Sequence, residues 1–129
     1  PRILFTGFVQ GHMLAELYSN AYVYCLPSDL EGMPLSLLEA MSYGNCCLAS
    51  DIAECAEVLE DKGVLFQRGS VESLKQKLEE LFQHPEQVGR YREEATKYIC
   101  DKYNWDDVVS KTLLLYYEKF DVRKAKINR

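Results

Sequence analysis

Apolar residues in the first half of the chain alternate between short unbroken runs and stretches with helical spacing. The unbroken runs are typical of strands buried on both faces. They cover residues 2–6, 22–26, 46–49 and 64–66. The stretches with helical spacing cover residues 12–20, 34–43 and 53–59. This alternation predicts an α/β fold, a parallel sheet flanked by helices.

The second half of the chain has helical spacing throughout. Ser70 and Asn104 are suited to cap helices, and Pro85 is suited to open one. The side chains expected to face inward are Leu74, Leu78, Leu81, Phe82, Val88, Tyr91, Ala95, Tyr98, Ile99, Trp105, Val109, Leu113, Tyr116 and Phe120. We therefore predict a single domain over 1–129, with an α/β part at 1–69, a helical part at 70–122 and a solvated tail at 123–129.

Composition narrows the classes of partner and compartment. The 129 residues are 47% apolar and carry a net charge of -5, which argues against nucleic acid as a partner. Five cysteines without a Cys-x-x-Cys spacing, and only two histidines, predict buried reduced thiols and no metal site. No apolar stretch approaches the ~18 residues of a membrane span, and no signal peptide is recognisable, so we expect a cytoplasmic protein. Pro1 leads directly into an apolar run without an initiator methionine, so we expect a fragment that lacks an upstream part.

The segment from residue 27 to residue 49 contains the candidate chemistry. Pro27 ends an apolar run, so the following loop is expected at the carboxyl edge of the sheet, where ligands of open α/β sheets bind. A helix beginning near Pro34 offers free amides and a positive dipole end to an anion, and Gly32 allows close approach of the backbone. The amide donors on offer belong to Gly32, Met33, Leu35 and Ser36.

Two carboxylates flank this predicted anion site. Glu31 lies in the loop, and Glu39 lies more than one turn into the helix. Carboxylates repel phosphate but accept hydrogen bonds from sugar hydroxyls. The pattern therefore suits a ligand with phosphate in the middle and hydroxyl-rich rings at both ends, such as a nucleoside diphosphate sugar.

A set of short motifs in fixed order resembles one enzyme family. The motifs are FTGFVQG, LAELYSNA, LPS, EGMPLSLLEAM, SYG, DIAECAEV, GVLF and YNW. Among them, EGMPLSLLEAM, with seven residues between Glu31 and Glu39, is the most specific. Together they resemble the C-terminal, nucleotide-sugar-binding domain of family 4 glycosyltransferases, which retain anomeric configuration and have the Rossmann-like glycosyltransferase B fold. One departure is Asn45, which follows Gly44 where the family often has proline.

The resemblance implies a role for each matching position. It makes Glu31 the catalytic-site carboxylate that contacts hydroxyls of the transferred sugar, and Glu39 the group that holds the ribose hydroxyls. It places the segment Gly32, Met33, Pro34 and Leu35 against the sugar and diphosphate. It places Phe8 and Val9 near the base.

The resemblance also implies the setting of the reaction. The substrate is a UDP- or GDP-linked sugar, with no metal and no further cofactor. The acceptor, a sugar, lipid or protein, binds an N-terminal domain outside this chain. A basic pair, an Arg and a Lys that neutralise the diphosphate, belongs to a region before residue 1. The full enzyme is expected to act in cell-surface polysaccharide or glycolipid synthesis, with peripheral association at the inner face of the membrane. This chain alone is expected to be inactive.

Several alternatives stay open at the level of sequence. Ser36 and Glu39 also fit a helix capping box. Asp29 and Glu31 could hold a divalent metal on a nucleotide, although no third ligand is evident. The whole chain could instead be a non-catalytic nucleotide-binding or interaction module, or part of a nucleotide-sugar epimerase on the same scaffold.

Overall fold

The computed structural model describes residues 3–127, and it describes side chains as far as residue 117. The chain divides into two compact units, residues 1–99 and residues 100–129. Among the described residues, every helix is too short or too polar to cross a bilayer.

The first unit alternates helices and strands in the predicted order. Its elements are α1 (Gly11–Asn20), β1 (Val23–Leu26), α2 (Leu35–Ser42), β2 (Cys46–Ser50), α3 (Ala53–Leu59), β3 (Val64–Phe66), α4 (Val71–Gln83) and most of α5 (Pro85–Lys102). The strands form a parallel sheet in the order β1-β2-β3, with Val23 beside Cys46 and Leu48 beside Val64. The predicted α/β class with a parallel sheet flanked by helices is confirmed.

The core forms around the middle strand, because helices cover both of its faces. Every residue of β2 is buried. Its neighbours in one buried cluster come from β3, α4 and α5, namely Phe66, Leu81, Val88 and Tyr91. Since β2 is the middle strand and pairs in parallel with both neighbours, all three strands end at one carboxyl edge.

The predicted cap residues occupy their expected positions. The Ser70 hydroxyl accepts a hydrogen bond from the Ser73 amide at 3.1 Å. The Asn104 side chain accepts one from the Asp107 amide at 2.8 Å. Local capping chemistry therefore fixes the starts of α4 and α6.

The predicted first strand is wrong. Residues 3–7 have no strand conformation, and Ile3, Leu4 and Phe5 are between 79% and 97% exposed. Residue 2 lies outside the described residues. A strand exists only when a neighbouring strand completes its hydrogen bonds, and no described strand lies beside this segment.

The second unit contains α6 (Trp105–Ile127) after the end of α5. The inward orientation predicted for four of its side chains is wrong, since Trp105, Val109, Leu113 and Tyr116 are 47–80% exposed. Phe120 lies outside the residues whose side chains are described. An apolar stripe predicts a helix face that packs against another helix or strand. The described part of this unit contains no element that covers this face of α6. The helix also continues to Ile127, through most of the predicted tail.

The cysteines follow the prediction only in part. Cys46, Cys47 and Cys55 are buried, Cys25 is half-buried and Cys100 is exposed. Cys100 lies near the end of α5, at the start of the second unit, where the predicted burial is wrong.

The predicted apolar stripe of α4 has one exception. Phe82 stays 67% exposed while its ring stacks on Tyr22.

Candidate functional site

The segment singled out from the sequence lies at the carboxyl edge of the sheet. β1 ends at Leu26, and the loop 27–34 leads from that edge into α2. Because the three strands are parallel, the loops after β2 and β3 start at the same edge. The predicted location of the loop is therefore the observed one.

One backbone amide in the first turn of α2 has no backbone acceptor. The Leu35 amide donates to the Met33 carbonyl at 2.8 Å, and the amides of Leu37 and Leu38 donate to the Pro34 carbonyl. Within the described part of the chain, the Ser36 amide has no such partner. Of the four amides considered from sequence, that of Leu35 is thus already engaged.

The capping-box alternative for this helix is wrong. Pro34 occupies the cap position and makes no side-chain cap bond. Ser36 therefore lies inside the first turn, and its hydroxyl is not the cap. Glu39 is consequently not needed as the reciprocal partner of a cap.

The Glu31 carboxylate is fixed at the base of its loop. It accepts a hydrogen bond from the Ser28 hydroxyl. Its charge also acts on a buried thiol. Burial raises the pKa of the Cys55 thiol to about 11, and the charges of Glu31 and Glu54 add to that rise. Burial also raises the pKa of Tyr24, against a hydrogen bond with Ser36, and Glu31 again contributes to the rise.

The Glu39 carboxylate is exposed and is contacted from α1. The Tyr18 hydroxyl lies 3.3 Å from its Oε2 and 3.4 Å from the Ser36 carbonyl oxygen. The rings of Tyr18 and Tyr24 lie 5.7 Å apart. Glu31 therefore raises the pKa of one member of this tyrosine pair, and Glu39 contacts the other.

The remaining predicted residues lie mostly in solvent. Gly32 is exposed, and a Cβ atom at its position would meet nothing within 4 Å. Met33 and Leu35 are exposed beside it, whereas Pro34 is buried. Phe8 is 89% exposed and Val9 is half-buried, in the segment before α1. Apolar and backbone surface is thus open next to the free amide.

A depression at the same edge is lined by residues other than those predicted to bind the donor. It has a volume of about 400 Å³ and is lined by Asp29, Leu30, Asp51, Ile52, Ala53, Glu54 and Arg68. Arg68 joins two of its walls, because its guanidinium donates to the Asp29 carbonyl at 3.3 Å and its amide donates to the Asp51 carboxylate at 2.7 Å. No three His, Cys, Asp or Glu side chains within the described ranges converge as a metal site would require.

Three residues of the site were not singled out from the sequence. Tyr18 and Tyr24 looked like members of apolar stretches, and their spacing carries no sign of the polar contacts made by their hydroxyls. Asn45 stood out only as a departure from Gly-Pro. In the structure it is fully buried, and its side-chain amide donates to the carbonyls of Tyr18 and Ala40 at 2.8 and 3.0 Å.

Two relatives among curated proteins are similar over most of this chain. A sulfoquinovosyl transferase of Arabidopsis thaliana is 32% identical over 113 residues, which is 84% of this chain and 22% of the relative. An MMP α-(1→4)-mannosyltransferase of Mycolicibacterium hassiacum is 30% identical over 115 residues, which is 87% of this chain and 28% of the relative. The chain therefore spans about a quarter of the length of these relatives.

A solved structure and a family model agree with them. Sucrose-phosphate synthase from Thermosynechococcus elongatus matches 94% of this chain and 31% of its own with a TM-score of 0.82; at 24% identity, that likeness shows the fold alone. The fold is that of glycosyltransferase B enzymes. A family model for "Glycosyl transferases group 1" matches residues 1–98, and the chain belongs to that family.

Proposed function

We propose that this chain forms the donor-binding part of a retaining glycosyltransferase, which transfers a sugar from a UDP- or GDP-linked donor to an acceptor. The observation that carries the proposal is the position of two carboxylates on either side of one free helix amide. Glu31 precedes the start of α2, the Ser36 amide lies in its first turn, and Glu39 follows one turn later.

The electrostatics of this arrangement support a segmented ligand. The free amide and the positive end of α2 favour the diphosphate. The two carboxylates repel phosphate and accept hydrogen bonds from neutral hydroxyls. A ligand with a sugar, a diphosphate and a ribose in sequence satisfies all three groups, with the sugar at Glu31 and the ribose at Glu39.

The exposed residues beside the amide fit the same ligand. Because a Cβ at Gly32 would meet nothing within 4 Å, the space above it is available to a phosphate or sugar. The exposed side chains of Met33 and Leu35 can cover the apolar face of a sugar ring. We place the base near Phe8 and Val9, which precede α1.

No nucleophile is required of this chain. In a retaining reaction by same-face substitution, the leaving phosphate oxygen helps to deprotonate the acceptor hydroxyl as the glycosidic bond to phosphate breaks. The protein's part is to orient donor and acceptor and to stabilise the charge that develops on the diphosphate. We propose that the acceptor-binding surface and further phosphate contacts lie in parts of the protein beyond these 129 residues.

The setting of the reaction is a further part of this proposal. The names of the two relatives refer to different sugars. The proposal therefore does not specify the donor sugar. We propose a cytoplasmic enzyme that works at the inner face of a membrane, in polysaccharide or glycolipid synthesis.

Measuring sugar transfer by the longest natural form of the protein tests this function. We expect Glu31→Gln to lower kcat/KM about 10²-fold, the scale of removing one group that stabilises a transition state. Glu79→Gln, an exposed glutamate on α4, is the matched control and should leave kcat/KM unchanged. The anomeric configuration of the first product, read by NMR, should equal that of the donor. Full activity of Glu31→Gln, or inversion, would contradict the proposal.

A further inference from the structure

Polar contacts join α1 to α2 at the point where α2 carries Glu39. The Tyr18 side chain is 8% exposed, and its hydroxyl faces both the Ser36 carbonyl and Oε2 of Glu39. A phenol has one proton to donate, so these two oxygens share it. Within the described part of the chain, Oε1 of Glu39 has no hydrogen-bond partner and remains available to a ligand.

We propose that Tyr18 is a positioning residue, which holds the Glu39 carboxylate in the orientation that receives the ribose hydroxyls of the nucleotide. The inference rests on the proposed function, since it concerns the same ribose site. An exposed glutamate has several rotamers, and fixing such a side chain on binding costs free energy. A hydroxyl that fixes one carboxylate oxygen in advance removes much of that cost and leaves the other oxygen free.

Tyr18 is itself held rigidly enough for this task. Its ring stacks on Tyr43 with centroids 5.4 Å apart and an angle of 19°, and it also contacts Tyr24. Its backbone carbonyl accepts a 2.8 Å hydrogen bond from the buried Asn45 side chain. Asn45 stands where the sequence departs from Gly-Pro, and a proline there would have no side-chain donor.

The hydroxyl stays a donor over the physiological pH range. Burial raises the pKa of Tyr18 well above its ordinary value, and the neighbouring Tyr24 and Glu39 add to the rise. The neutral phenol is therefore the form that faces Glu39. The contact is a hydrogen bond from a neutral donor to a carboxylate, and no proton needs to move when the ribose binds.

A comparison of two kinds of nucleotide, with and without ribose hydroxyls, separates positioning from a merely structural role. The probes are UDP and GDP and their 2′,3′-dideoxy counterparts, titrated calorimetrically into the longest natural form of the protein. We expect Tyr18→Phe to weaken binding of the ribonucleotide roughly three- to tenfold, the scale of leaving one side chain unfixed. Binding of the dideoxy nucleotide should not change. Tyr22, directly before β1, has a comparable hydroxyl that donates to the Leu81 carbonyl in α4, and Tyr22→Phe should change neither affinity.

A double substitution and a ring replacement complete the experiment. In a Glu39→Ala background, Tyr18→Phe should have no further effect, because the group that it positions is gone. If Tyr18→Phe does not fold, 4-aminophenylalanine and 4-methylphenylalanine at position 18 carry the test. Both fill the space of tyrosine, and only the first can donate, so only the first should retain binding.

The outcomes distinguish this inference from the function on which it rests. Equal weakening of both kinds of nucleotide by Tyr18→Phe, or no weakening at all, would overturn the positioning role while Glu39→Ala still weakens binding of the ribonucleotide. Failure of the unsubstituted protein to bind either UDP or GDP would overturn the proposed function, and the inference with it.

Discussion

The side-chain amide of Asn45 donates a 2.8 Å hydrogen bond to the backbone carbonyl of Tyr18, 27 residues earlier in the chain. The same amide donates to Ala40 in α2. One buried side chain therefore joins the two helices that bring Tyr18 and Glu39 together. Its own oxygen has no partner among the described residues, so the contact is kept despite an unsatisfied acceptor.

Substitutions of Asn45 test this link. We expect Asn45→Leu to lower the free energy of unfolding by about 1–3 kcal/mol, because two buried carbonyls lose a donor. Asn45→Asp should lower it further, since a buried carboxylate would face those carbonyls. Urea unfolding measures both. If Asn45→Leu had the stability of the unsubstituted protein, the donated hydrogen bonds would not be what the position contributes.

Substitutions of glycine separate the ligand surface from the core. Gly32→Ala should leave the free energy of unfolding within about 0.5 kcal/mol, since its Cβ would meet open space. The same methyl should weaken nucleotide-sugar binding, because the ligand is proposed to occupy that space. Gly89→Ala in α5, which also meets nothing, is the control and should leave binding unchanged. If Gly32→Ala bound the nucleotide sugar as well as the unsubstituted protein does, the ligand would not lie against the backbone of Gly32.

Gly63→Ala should differ from Gly32→Ala in its effect on stability. A Cβ there would lie 2.6 Å from a Leu59 methyl and 3.0 Å from the Cys47 carbonyl. The carbonyl belongs to the middle strand and cannot move aside easily. Gly63→Ala should therefore destabilise the protein by about 1–3 kcal/mol, the scale of overpacking. Thermal unfolding without a shift in Tm would contradict this.

Stability should fall in alkaline solution. Burial raises the pKa of the Cys55 thiol from 9.0 to about 11, so the unfolded chain loses this proton at lower pH than the folded chain. The stabilisation is complete below the unfolded pKa and is lost as pH rises through the folded value. Urea unfolding at a series of pH values from about 8 to about 11 measures the slope. Cys55→Ala should reduce this slope in part, because burial also raises the pKa of Cys46 and Cys47, whereas Cys100→Ala, which removes an exposed thiol, should leave it unchanged.

The sequence predicted the elements whose formation depends on neighbouring residues. Caps at Ser70 and Asn104 and the glycine after α2 act locally, and the corresponding helices begin or end within a residue or two of the expected positions. The run at residues 2–6 has strand composition, but strand formation depends on a distant partner. The stripe on α6 has helical spacing, and spacing alone does not say what covers it.

The candidate site divides in the same way. The position of Glu31 and Glu39 around a helix start follows from their spacing in one segment. The contact of Tyr18 with Glu39 depends on how α1 lies against α2, and Asn45 contributes only because the fold brings one carbonyl of each helix to its side chain. Hydrogen bonds between residues 18, 39 and 45 cannot be deduced from a spacing pattern, because each residue type there also fits an ordinary core or surface position.

A crystal structure of the longest natural form of the protein with UDP or GDP tests the central claim most directly. The account predicts a phosphate oxygen within about 2.7–3.2 Å of the Ser36 amide and a ribose hydroxyl at the same range from the Glu39 carboxylate. A nucleotide bound instead in the depression lined by Asp29, Asp51 and Arg68, with Glu39 contacting only Tyr18, would contradict it.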